Sequence, residues 1–122
     1  MFPCVLLSKQ RPRPVSPPDG FVARVGERVQ LEVTPFDVSQ GHIFGLSQWQ
    51  VYRINPDTGE RGRVVARLTG GNSEKAEWFP GGTGTFEWEV SYSYSIRYHR
   101  GDRYIRRSGR AISFPQRIVV VN

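Results

Sequence analysis

The residues best able to do chemistry are few, and their spacing narrows what they can do. Seven arginines (Arg97, Arg100, Arg103, Arg106, Arg107, Arg110 and Arg117) fall between residues 97 and 117, with one acid, Asp102, among them. That excess equals the formal net charge of the 122-residue chain, +6, so the rest of the chain sums to zero. Tyr98, His99 and Tyr104 are interleaved with the arginines. A guanidinium makes planar, two-pronged hydrogen bonds to carboxylates and phosphates and stacks on rings. The set Tyr98, Arg100, Arg103, Tyr104, Arg106 and Arg107 therefore reads as a binding surface for an acidic partner. Nucleic acid is the second partner class it fits, through phosphate contacts and base stacking. No recognition helix or named nucleic-acid motif accompanies it, so an acidic protein surface is the preferred partner. The plainer reading is a solvated hairpin whose arginine stems lie along apolar surface.

Other constellations fall short of catalysis. Glu87 and Glu89 are two residues apart, so on a strand they share a face. Glycosidase carboxylates flank a cleft and have their pKa values split; these two neighbour serines and read as part of a solvated face. His42 and His99 are far apart and Cys4 is the one cysteine. A zinc site draws on three or four ligands, so no metal is expected. Asp37, Asp57 and Asp102 form no Asp-x-Asp-x-Asp loop for calcium. Gly81-Gly82-Thr83-Gly84 lacks the Gly-Lys-Ser/Thr ending of a phosphate loop and leads into a strand pattern. With no Gly-x-Ser-x-Gly and with Cys4 near the terminus, no nucleophile stands out. The chain reads as a non-enzyme that needs no cofactor.

The elements that must position the arginines are strands. Phe86, Trp88, Val90, Tyr92, Tyr94, Ile96 and Tyr98 occupy every second position, with Glu87, Glu89, Ser91, Ser93, Ser95 and Arg97 between them. A helix would scatter the rings; a strand gathers them on one face. Gly101-Asp102 lies between Tyr98 and Tyr104, which predicts a hairpin there. Val29, Leu31 and Val33 alternate with polar residues, and residues 48–53 alternate again. Asn55-Pro56-Asp57-Thr58-Gly59 is a turn: proline presets φ and glycine accepts positive φ. Strands are expected over 63–68 and 74–78, and residues 118–121 read as a run buried on both faces. Trp49, Trp88, Val90 and Leu31 are expected to share one core. No segment carries a helical period.

Length, glycine and proline organise the whole. One domain fits 122 residues and can bury a core without staples. A single cysteine allows no internal disulfide, which suits a reducing compartment. No apolar run approaches the length of a membrane helix, so no membrane insertion is expected. The start lacks the basic region and cleavage site of a secretion signal. Residues 9–20 hold four prolines and predict an extended arm over residues 1–20. The arm carries Val5, Leu6 and Leu7, expected to dock on a sheet edge or a neighbour because adjacent aliphatics are costly to leave in water.

Repeated short strands with turn punctuation indicate an all-β sandwich or barrel. Trp49 falls on the third strand from residue 21, where immunoglobulin-like domains often bury a tryptophan. The stretch Ala76-Glu77-Trp78-Phe79-Pro80-Gly81-Gly82-Thr83-Gly84-Thr85-Phe86-Glu87-Trp88-Glu89-Val90 resembles the segment entering the F strand of bacterial and phage immunoglobulin-like and PKD-like domains. In those a Gly-x-aromatic step leads into an alternating strand. The resemblance spans residues 21–122 and lacks the paired cysteines of antibody domains; a jelly roll or small barrel shares its alternation. It implies an immunoglobulin-like antiparallel β-sandwich over 21–122 behind the arm. It also implies a structural component of a phage-like virion, in head decoration, neck or tail. A carbohydrate or cell-surface adhesion module is the further alternative.

Overall fold

The computed structural model describes residues 12–35, 41–68 and 74–122, with the side chains of residues 41–46 and 96–100 outside that description. Val5, Leu6 and Leu7 also lie outside it. The described residues form strands and no helix: β1 (Pro14–Ser16), β2 (Phe21–Arg24), β3 (Val29–Val33), β4 (Gly41–Ile54), β5 (Arg61–Leu68), β6 (Lys75–Trp78), β7 (Gly84–Arg100), β8 (Arg103–Ile112) and β9 (Gln116–Val121). No helix among them is long and apolar enough to cross a membrane.

Period-two alternation divides the strands into two sheets packed face to face. The small sheet has the order β1-β3-β6 and is antiparallel. The large sheet has the order β2-β9-β7-β4-β5, and β8 also pairs with β7. Only β2 and β9 run parallel among the described pairs. Val29, Leu31, Val33, Ala76 and Trp78 of the small sheet meet Trp49, Val51, Phe86, Trp88, Val90 and Ile118 of the large one in a single core. Leu31, Val51, Val90 and Ile118 are fully buried. Trp49 and Trp88 stack at 5.8 Å between ring centroids, and Trp78 meets Phe86 edge-on at 5.2 Å. Each such ring pair adds about 0.5–1.5 kcal/mol to the area term. The expected shared core of Leu31, Trp49, Trp88 and Val90 is therefore present.

Two expectations are revised by the pairing. In residues 118–121, Ile118 and Val120 are buried, but Val119 is half-buried and Val121 is 39% exposed. The strand has one core face, and its other face looks outward beside Arg117. The proline-rich segment also differs over its described part. Residues 12–20 lie on the sandwich: β1 pairs with β3, and Pro12 and Pro17 are buried. The Thr34 N–H donates to the Arg13 carbonyl at 2.8 Å, and the Phe114 N–H to the Pro12 carbonyl at 3.1 Å. An edge strand tolerates prolines because one of its sides needs no ladder donors. The Ser16–Pro17 peptide is cis, and past it the chain moves from the small sheet to the large one, where β2 begins.

Candidate functional site

Strand β7 carries the arginine cluster away from the core. Its pairing with β4 reaches Gly41 opposite Ile96 among the described residues. Its ladder with β8 continues past that point through Arg97 opposite Arg106, Tyr98 opposite Ile105, His99 opposite Tyr104 and Arg100 opposite Arg103. The loop closing this ribbon is the expected Gly101-Asp102, and Gly101 takes φ 65°, where glycine carries no steric penalty.

The register divides the sequence-predicted site between two faces. Residues directly opposite in an antiparallel ladder share a face. Positions 98, 100, 103, 105 and 107 continue the core side, in phase with buried Tyr92 opposite Ala111. Positions 97, 99, 104, 106 and 110 lie on the outer side. Arg103, Tyr104, Arg106 and Arg107 are exposed, Tyr104 by 67%. The side chains of Tyr98 and Arg100 lie outside the described residues. Arg103 and Arg107 thus stand on one face of the ribbon and Tyr104 and Arg106 on the other. Among the described residues no ion pair involves Arg103, Arg106 or Arg107.

Two further arginines of the 97–117 stretch, Arg110 and Arg117, have partners within the fold. Arg110 Nη2 donates to Ser91 Oγ at 3.2 Å. Arg117 Nε lies 3.4 Å from Glu87 Oε1, and its Nη2 donates to the Gly59 carbonyl at 3.1 Å.

Three features escaped the reading of the sequence. Glu87 and Glu89 do share a face, but their side chains are only 12% and 13% exposed. Arg61 Nη2 sits 2.7 Å from Glu87 Oε2 and 2.6 Å from Glu89 Oε1, with its guanidinium 4.0 Å from the Tyr52 ring centroid. Burial alone would lower the Arg61 pKa; the hydrogen bonds it donates to Glu89 and Glu87 outweigh that and hold the pKa above the ordinary arginine value. Burial, then the Glu89 charge, pushes Tyr52 up. The carboxylates are held in a structural clamp. Second, Ser113 is fully buried between the β8 and β9 ladders. The Val90 N–H donates to its Oγ at 2.9 Å, and its own N–H donates to the Val90 carbonyl at 2.8 Å. Third, Gly109 leaves room for the opposed Tyr94 ring: a Cβ there would lie 2.6 Å from the Tyr94 hydroxyl oxygen. The last was accessible in principle, because a two-residue loop at 101–102 dictates that 94 faces 109.

No family model matches the chain, and no curated protein matches it in sequence.

Proposed function

We propose that this chain is a non-catalytic binding and assembly module that engages an acidic partner through the β7–β8 ribbon. The carrying observation is the ribbon's inventory: Arg103, Arg106 and Arg107 are exposed without an ion pair among the described residues, beside exposed Tyr104. Arginine and tyrosine are favoured where proteins anchor one another. The fold belongs to the immunoglobulin-like sandwiches on this reading. Its support is that the first strand joins the small sheet while the next runs parallel to the last strand of the large sheet.

By analogy with small sandwiches of this type, the chain acts as a head-decoration, neck or tail component of a phage-like virion, contacting neighbouring subunits. The N-terminal residues Val5, Leu6 and Leu7 add an apolar docking element. Fractionating virus-like particles from the source on a density gradient tests this assignment. Co-sedimentation of the chain at a fixed ratio to the main shell protein is the expected result. Its exclusion from every particle fraction would remove the virion assignment.

A further inference from the structure

We infer that the partner grips the ribbon tip on both faces, and that it does so with a carboxylate-rich protein segment. This deepens the proposed binding role of the ribbon and rests on it. The ladder sets Arg97 opposite Arg106 on the outer face and Arg100 opposite Arg103 on the core-side face. Like charges directly opposite one another destabilise a ladder. Exposed Arg103 and Arg107 stand on the core-side face and exposed Arg106 on the outer one, so each face presents cationic charge for an anionic group to meet. A partner that covered one face would leave the charge on the other unmet.

The same register favours protein over nucleic acid. Asp102 occupies the turn at the ribbon's leading end, where a nucleic-acid groove would bring phosphates and base edges against it. Half-buried Ile105 and exposed Tyr104 alternate with the arginines along β8, giving each face apolar surface beside its charge. Carboxylates interspersed with apolar residues on a protein segment complement that pattern.

Charge reversal has opposite effects on the free and bound states, which separates this reading from simple damage. In the full chain, Arg106→Glu turns the outer pair into an opposite-charge pair, and Arg103→Glu does the same on the other face. Each reversal should raise hydrogen-exchange protection of the ribbon amides by about two- to fivefold. Each should also weaken binding to a twenty-residue polyglutamate peptide at least tenfold. A twenty-base-pair DNA duplex at the same ionic strength should bind no more tightly than the peptide. If one reversal weakens peptide binding and the other leaves it unchanged, engagement is one-sided; the two-faced grip is then wrong although an acidic partner still stands. If DNA binds more tightly and its affinity collapses with salt, the protein partner is wrong. If the intact chain binds neither probe, the binding role of the ribbon fails as well.

Discussion

Over residues 84–92, β7 lies between β9 or β8 on one side and β4 on the other, and its even-numbered side chains fill the core. Over residues 97–100 the same strand pairs, among the described residues, with β8 alone. In the first region each choice answers an internal neighbour: Trp88 stacks on Trp49, Phe86 meets Trp78, and Glu87 takes Arg61 and Arg117. In the second, arginine stands opposite arginine twice. The contrast teaches that alternation alone does not reveal purpose. Where residue choice satisfies the fold, the fold explains it; where residue choice opposes the fold, an external partner is the physical reason we propose.

The largest effect should come from the body. Trp88→Ala removes the centre of the aromatic stack and should cost about 3–5 kcal/mol in denaturant unfolding, since the site is closed on all sides. The Trp88 Nε1 has no hydrogen-bond partner among the described residues, so the loss is one of packing. A cost below about 1 kcal/mol would mean that the core does not depend on this strand. Ser113→Ala follows: it strips the partner from a buried amide of Val90 and should cost about 1–3 kcal/mol. An unchanged midpoint would show that the junction between the β8 and β9 ladders is dispensable.

Arg61→Gln sharpens the boundary between the regions. It leaves Glu87 and Glu89 adjacent without their shared cation and should cost about 1 kcal/mol, because partial solvent access screens the pair. High salt should shrink that difference. The smallest predicted effect is a pH slope. Burial raises the Tyr92 pKa above its ordinary value of 10.0, so the folded state holds a proton that the unfolded state releases. The resulting stability is complete below pH 10 and declines as pH rises through and above it. In alkaline titrations monitored by unfolding, Tyr92→Phe should show a shallower decline than the intact chain. Equal slopes would place the alkaline sensitivity elsewhere.

Much of this was legible in the residues. The stripe from Phe86 to Tyr94 and the turn at Gly101-Asp102 revealed the strand, its face and its hairpin, because both are local patterns. Contacts across long separations were not legible. Arg61 lies 26 residues from Glu87 and 28 from Glu89, and no local period announces their clamp. Ser113 carried no local signal, because its role depends on two ladders ending side by side at Val90. Residues 12–20 read as an arm because proline composition does not distinguish an edge strand from a free segment. The apolar run at 118–121 overstated burial because one exposed valine costs little. The arginine cluster was legible as composition, while its division between two faces required the register.

The central claim is that the sandwich body is self-sufficient and the ribbon serves a partner. Ile96 and Arg107 are opposed in the ladder with the same hydrogen-bonding parity as Arg100 and Arg103, which the existing two-residue turn joins, so residues 97–106 can be replaced by an Asn-Gly turn joining them directly. The decisive measurement compares the unfolding free energy of this shortened chain with that of the intact protein, alongside polyglutamate binding. The account predicts stability within about 1 kcal/mol of the intact chain, with peptide binding abolished. A loss of several kcal/mol, or peptide binding that survives the deletion, would contradict it.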